Sequence, residues 1–436
     1  MSAAPATPTA ADGRACALPG TPLEQARAGL DACVHCGFCL QSCPTYLALD
    51  DENDSPRGRL LLMRSLLEGT LSPDDAVGRS HLDKCLGCRA CETVCPSGVP
   101  YGHLLEATRA TLAQRHKLPL MARLLLWVFG VPWLMKSAMA AGRLLRDTRI
   151  GAVLARAMPG RFGIAMHMLQ STRPAIALRS YSSPVGAARG TVALLEGCVM
   201  EGLFAPSNAA TERTLTVNGY RCGRPNGQAC CGALHAHAGD LAAARRLAKR
   251  NIMAFERSGA EFVVSNAAGC GAMLKDYGHL LADDPVWAER AASIAKKSRD
   301  VSELLAEAGP VAGGPLPAVV TYDAPCHLAH AQRVTAPPLK VLAAIPGLTL
   351  VPLVDSEQCC GAAGIYNLLE PGTAAAVLEP KLAHIGNTRA EYVATGNPGC
   401  LMQIGSGLAR EGSATRAVHP VDLLDRSYAN RFGGGT

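Results

Sequence analysis

The chain has 436 residues, a formal net charge of +6 and only 4% aromatic residues. That length supports two or three domains with cores of their own, and so modest and scattered a charge gives no basis for a nucleic-acid surface. Eighteen cysteines would suggest disulfides in a secreted chain, but Met1 to Gly20 lacks the basic start and apolar stretch of a secretory signal, so reduced thiols in the cytoplasm are expected.

Residues 1–21 read as a flexible Ala/Pro/Thr-rich tail in which Cys16 stands alone. A domain over 22–117 follows. It carries Cys33, Cys36, Cys39, Cys43-Pro44 and then Cys85, Cys88, Cys91, Cys95-Pro96, both spelling C-x2-C-x2-C-x3-C-P. This is the bacterial ferredoxin run for a [4Fe-4S] cluster, in which the fourth cysteine crosses to the other cluster. Thiolates spaced this closely cannot converge on one tetrahedral zinc. The crossing rule assigns Cys33, Cys36, Cys39 and Cys95 to one cluster, and Cys85, Cys88, Cys91 and Cys43 to the other.

Between the runs, Leu60 to Gly69 reads as a helix with a glycine stop. Arg57, Arg59 and Arg64 read first as a solvated helix face and second as groups that tune the clusters or dock an acidic partner. Residues 118–189 form a helical connector with a loop-like end at Ser182 to Gly186. Its Leu124 to Met135 stretch is apolar, but it contains Pro132 and is shorter than the roughly 20 residues of a spanning helix, so a buried or partner-facing pair broken at Gly130-Val131-Pro132 is expected, with an interfacial membrane contact as the alternative.

From Gly190 short β runs alternate with Ala-rich helical runs, the pattern of parallel βα units. Expected strands are 191–195, 261–265, 318–322, 348–354 and 391–395. Cys198, Cys230, Cys231 and Cys270 recur as Cys326, Cys359, Cys360 and Cys400, an internal duplication with repeats at 190–308 and 318–428. The cysteines follow strands, which places them at the carboxyl edge of an open sheet where ligands bind.

These repeats resemble the cysteine-rich CCG domains found in heterodisulfide reductases, anaerobic glycerol-3-phosphate dehydrogenases and lactate-utilisation proteins. Two ferredoxin runs followed by two CCG repeats are similar to the iron-sulfur subunits of bacterial glycolate oxidase. The local matches are Ala32 to Cys39, Pro56 to Arg59, Leu195 to Cys198, and Gly269 to Ala272 with Lys275 and Tyr277-Gly278. The long helical insert points to an α-helical ferredoxin domain like those of succinate dehydrogenase-type proteins, and the fold class expected is α+β multidomain, with two duplicated α/β domains after it.

The resemblance implies an electron-transfer subunit of a flavin-dependent glycolate dehydrogenase complex, passing electrons from reduced flavin towards quinone. FAD would lie on partner subunits in a hetero-oligomer, since no G-x-G-x-x-G fingerprint follows a strand here. No catalytic residue is assigned to this chain, and membrane contact would be peripheral, on the cytoplasmic face of the inner membrane. The same role with glycerol-3-phosphate or lactate, or a CCG-domain reductase, are the alternatives.

One departure stands out. The family's closing C-x-x-C has Met273 and Gln403 in its second position, which leaves open whether the eight repeat cysteines hold a further cluster or a docking scaffold. His235, His237, His327 and His330 sit beside these cysteines as ligands, proton carriers or ordinary loop histidines. Cys222 has no counterpart and reads as structural.

Overall fold

The computed structural model of the chain describes residues 16–158, 160–177, 181 and 188–433, excepting the side chains of Arg149 and Arg156. Most of the expected tail, and the expected loop at Ser182 to Gly186, lie outside these residues. The end of that tail is packed, contrary to expectation. Cys16 and Leu18 are buried beside Leu23 and Leu67, and the Ala17 N–H donates to the Leu67 carbonyl at 2.8 Å. Two apolar side chains at alternate positions, with one backbone hydrogen bond between them, tie this segment down.

The cysteine-run region is built from loops and helices, chiefly Pro44–Leu49, Pro56–Glu68, Ala76–Asp83 and Tyr101–Ala113, with no strand among the described residues. The Pro56 helix begins four residues before the expected Leu60. Ser55 caps it by accepting from the Gly58 N–H at 3.0 Å, Pro56 takes the first helical position, and Gly69 closes it in the left-handed region at φ 75°.

The connector runs through the helices Leu120–Gly130, Pro132–Asp147, Arg149–Ala157 and Gly160–Ser171. The first two meet at Val131 with a bend of 105°, and no single helix is long and apolar enough to cross a membrane. The expected break is therefore present. Burial is only partial: Ala122, Leu126 and Met135 face the protein while Leu120, Leu124, Trp127 and Trp133 do not.

Each repeat then forms a four-stranded parallel sheet. The first comprises β1 (Gly190–Leu194), β2 (Tyr220–Gly223), β3 (Phe262–Ser265) and β4 (Ser298–Asp300) in the order β2-β1-β3-β4. The second comprises β5 (Ala318–Tyr322), β6 (Leu348–Val351), β7 (Tyr392–Ala394) and β8 (Arg416–Val418) in the order β6-β5-β7-β8. Val192 pairs with Cys222 and Phe262, and Val320 with Leu350 and Tyr392, so the two sheets share one register scheme.

The central strands are apolar on both faces, as parallel sheets require. Val192, Leu194 and Val264 share one continuous core with Val320, Tyr322 and Ala394 of the other repeat. At roughly 1.5–3 kcal/mol per fully buried aliphatic side chain, this shared core makes the repeats a single packed body. The loops after β3 and β7 also meet. The Ala268 N–H donates to the Gly396 carbonyl at 3.0 Å, and the Gly269 N–H to Asn397 Oδ1 at 3.2 Å.

Candidate iron-sulfur sites

The two ferredoxin runs adopt one loop shape. Two residues after the first cysteine, His35 (φ 54°) and Gly87 (φ 63°) are left-handed. One residue after the second, Gly37 (φ 86°) and Arg89 (φ 63°) are left-handed too. These repeated reversals fold both runs into the same compact loop, at a backbone cost for the two non-glycine residues.

Cys33, Cys36 and Cys39 line a cavity together with Cys95 and Cys91. Cys36 is exposed and Cys33, Cys39 and Cys95 are half-buried, and beside them Val34 and Phe38 are 68% and 64% exposed. Cys43, by contrast, is drawn towards the second run. Burial pushes the Cys88 and Cys91 thiols well above their usual range, and the neighbouring sulfurs of Cys43 and Cys85 add to the rise in both. Cys43, Cys85, Cys88 and Cys91 are all buried. In the metal-free chain the raised Cys88 and Cys91 groups are protonated thiols, so metal binding there must displace their protons.

The buried group abuts the second repeat. Leu86, Cys88 and Ala90 pack in one apolar cluster with Cys326, Cys359 and Tyr366, and the Tyr366 hydroxyl donates to the Lys84 carbonyl at 2.8 Å.

In the repeats, Cys198 and Cys270 follow β1 and β3, while Cys326 and Cys400 follow β5 and β7, at the carboxyl ends of the central strands. Sulfur separations are 3.7 Å for Cys198–Cys230, 3.4 Å for Cys231–Cys270, 4.0 Å for Cys326–Cys359 and 3.1 Å for Cys360–Cys400. All are too long for disulfides. The glycine after each pair is required: Gly232 and Gly361 are left-handed, and a Cβ on Gly361 would lie 2.6 Å from the Ala374 carbonyl oxygen.

Among the described residues, no three cysteine sulfurs lie within 4.8 Å of one another; the only such ligand-type trio is Asp51, Asp54 and His81. A single zinc with Zn–S bonds of about 2.3 Å would pull four sulfurs closer than that. All-sulfur donor groups spread around a space suit a multi-iron core instead. Asp54 is already paired with Arg59 and Lys84.

Met273 is buried among apolar neighbours, and Gln403 accepts from Asn367 Nδ2 at 2.8 Å, so both positions are filled by packing and hydrogen bonding. The histidines divide. His235 donates to the Leu126 carbonyl at 3.0 Å, His237 meets Glu106 at 2.9 Å, and His330 bridges Thr93 and the Glu357 carbonyl. His327 alone touches a thiol, with Nδ1 at 3.5 Å from Cys326, and burial pushes it down to about 3. Cys222 sits in β2 away from the other thiols, where burial pushes it up to about 12.

Several supporting groups were not assigned a site role from the sequence, Tyr277 having entered only as part of the family match. Asn251 donates to the Cys230 carbonyl at 3.0 Å, the Tyr277 hydroxyl to the Cys231 carbonyl at 2.9 Å, and Asn397 Nδ2 to Cys400 Sγ at 3.5 Å. The buried pair Lys381–Asp323, at 2.6 Å, stands behind Cys360 and Cys400.

Family models match this arrangement: a 4Fe-4S dicluster domain over residues 29–99 and a cysteine-rich CCG domain over 192–275 and again over 320–405. The probable glycolate oxidase iron-sulfur subunit of Bacillus subtilis is 39% identical over 411 residues, covering 90% of this chain and 92% of that protein. The chain belongs to the glycolate oxidase iron-sulfur subunit family. The Escherichia coli glycolate oxidase iron-sulfur subunit is 35% identical over 411 residues, covering 91% and 94%. Lactate utilization protein A of Oceanobacillus iheyensis, 33% identical over 245 residues, spans 56% of this chain and 98% of its own length. Each CCG match ends before β4 or β8, so one of the two outer strands of each sheet lies outside the match.

Proposed function

We propose that the chain is the electron-transfer iron-sulfur subunit of a flavin-dependent glycolate dehydrogenase (glycolate oxidase) complex, receiving electrons from reduced flavin on partner subunits and passing them towards quinone as glycolate becomes glyoxylate. Similarity to two glycolate oxidase iron-sulfur subunits over nine-tenths of the chain supports this. We assign Cys33, Cys36, Cys39 and Cys95 to one [4Fe-4S] cluster and Cys85, Cys88, Cys91 and Cys43 to a second, within an α-helical ferredoxin domain at 22–117 that precedes the connector at 118–189 and the repeats at 190–308 and 318–428. A bound cluster exchanges electrons singly, the chemistry needed to empty a flavin that has accepted a hydride.

The observation that carries the reading is graded burial. One thiol group opens to solvent at Cys36, where a flavin-bearing partner can approach, and the other is enclosed against Cys326 and Cys359. The chain's own part is to hold these groups in that order and to exclude water from the inner one. The repeat cysteines Cys198, Cys230, Cys231 and Cys270, and Cys326, Cys359, Cys360 and Cys400, form two further all-sulfur donor sets for a cluster. Lactate in place of glycolate is the second reading, favoured by the lactate utilization match. Met273 and Gln403 stand against a self-contained reductase. The complex would work in the cytoplasm, peripheral to the inner membrane.

The test is iron per chain after anaerobic purification with partners. Two clusters require about 8 irons, and filled repeats would raise the count to about 12 or 16. A count near zero, or one zinc per quartet, would refute the assignment.

A further inference from the structure

We infer that this chain carries its own membrane-binding face, formed by the bent helix pair Leu120–Gly130 and Pro132–Asp147, and that its partner is the headgroup layer of an anionic phospholipid bilayer. Leu120, Leu124 and Trp127 recur at helical spacing on one stripe of the first arm and are 77%, 55% and 57% exposed; on the second arm Trp133 and Leu144 are 67% and 70% exposed. The opposite stripes are fixed to the protein. Ala122, Leu126 and Met135 are buried, His235 donates to the Leu126 carbonyl, and Arg146 donates to the Leu203 carbonyl at 3.1 Å. A rigidly held pair thus shows water a face made of the side chains that most avoid it.

Charge says what covers it. From residue 107 to residue 195 the sequence holds one carboxylate, Asp147, and that group is paired with Arg146 at 2.8 Å. Arg115, Lys117, Arg123 and Lys136 are exposed and form no ion pair among the described residues. Exposed tryptophans on a segment whose own charges are almost all cations match the bilayer interface, where indole rings sit at headgroup depth and cations meet anionic lipid; the nearest carboxylates, Glu196 beside Lys136 and Asp240 beside Arg123, belong to the first repeat. Arms of 11 and 16 residues, bent by 105° to one another, are each shorter than the roughly 20 residues of a spanning helix and fit within that layer.

The inference goes beyond electron transfer and does not depend on it. The test uses the intact iron-loaded chain with vesicles of equimolar phosphatidylglycerol and phosphatidylcholine, and with phosphatidylcholine alone. Of the three tryptophans, Trp287 is held under Arg290 at 4.0 Å, so the emission of Trp127 and Trp133 reports insertion. The expected result is a blue shift and co-sedimentation with the anionic vesicles at low salt, reduced by high salt and by omission of phosphatidylglycerol. Arg123→Glu/Lys136→Glu should weaken binding by roughly fivefold or more per charge, and Trp127→Ser/Trp133→Ser, which removes the reporters, should lose co-sedimentation with the anionic vesicles. These sites are exposed, and an unchanged iron content confirms folding. Absence of binding to the anionic vesicles, or binding unchanged in both variants, overturns the inference. So does loss of assembly with the flavin subunits in the variants without any vesicle binding by the parent, which would make the face a protein interface. Reduction of the clusters by the complex is read separately, so either conclusion can fail alone.

Discussion

Arg59 Nη2 lies 3.2 Å from Asp54 Oδ1, and both side chains are closed to solvent. Arg59 Nη1 also donates to Thr45 Oγ1 at 3.0 Å, and that hydroxyl is 3.2 Å from Cys43 Sγ. Burial opposes the guanidinium's charge, but the surrounding Cys85, Tyr101, Cys43 and Asp54 hold it firmly protonated. One residue of Pro56-Arg57-Gly58-Arg59 is therefore a buried cation beside the enclosed thiol group. Arg57, its neighbour, pairs with Glu52 at the surface.

Replacing Arg59 by Leu should remove that cation and leave Asp54 to Lys84 and His81 alone, a loss below the roughly 3–5 kcal/mol of a fully unpaired buried charge, with a melting curve as the readout. Positive charge favours the reduced, more negative cluster. The inner cluster's midpoint potential should consequently move negative in a redox titration, while Arg59→Lys restores much of it. A potential unchanged in Arg59→Leu would deny Arg59 this role.

Cys95→Ser should damage the cluster of the first run, although Cys95 belongs to the second. Iron should fall by up to about four per chain, and the spectroscopic signal of the more exposed cluster should be the one altered. Cys43→Ser should alter the inner one. The reverse pattern would mean that each run binds its own cluster.

Gly361→Ala should destabilise the second repeat more than Gly232→Ala destabilises the first. Both need a left-handed backbone, at a cost of roughly 1–3 kcal/mol for a residue with a side chain. Only at Gly361 does the added Cβ also come within 2.6 Å of a carbonyl oxygen; at Gly232 the nearest atom is 3.2 Å away. Thermal melts of the two variants decide the order.

Asp422 supplies a pH signature. Burial pushes it up to about 7 from 3.8, with Asp425 adding to the rise and the Ser207 hydroxyl and Arg213 opposing it. A raised carboxyl stabilises the fold fully below pH 3.8, and that contribution is lost as pH rises through about 7. His419, lowered to about 4 by burial, contributes the opposite slope as pH falls from 6.5. The melting temperature of Asp422→Asn relative to the parent isolates the first effect. That difference should climb between about pH 4 and about pH 7 and then level off.

Much of the framework was legible because it rests on strong local patterns. The cysteine spacings picked out the dicluster segment and the two cysteine-rich repeats that the family models match, and β5 falls on the expected residues because Ala318 to Tyr322 is a largely apolar, mostly buried run. β2, β4 and β8 were missed: Tyr-Arg-Cys-Gly, Ser-Arg-Asp and Arg-Ala-Val are short outer strands, and a strand with one free edge needs no continuous apolar sequence. The burial of Arg59 was hidden for a different reason. Arg57 and Arg59 look alike in sequence, and only the return of Asp54 and Thr45 to the same place distinguishes them. The apolar connector was read correctly as a broken pair, but its outward stripe depends on which side the first repeat occupies.

The division of labour is tested most directly by mixing glycolate anaerobically with the reconstituted complex carrying either the parent chain or Cys95→Ser. The account predicts that glycolate reduces the partner flavin in a single turnover in both, that only the parent complex delivers electrons to quinone, and that the chain alone, without flavin, does not oxidise glycolate. Glycolate oxidation by the isolated, flavin-free chain would contradict it and place the chemistry in the cysteine-rich repeats.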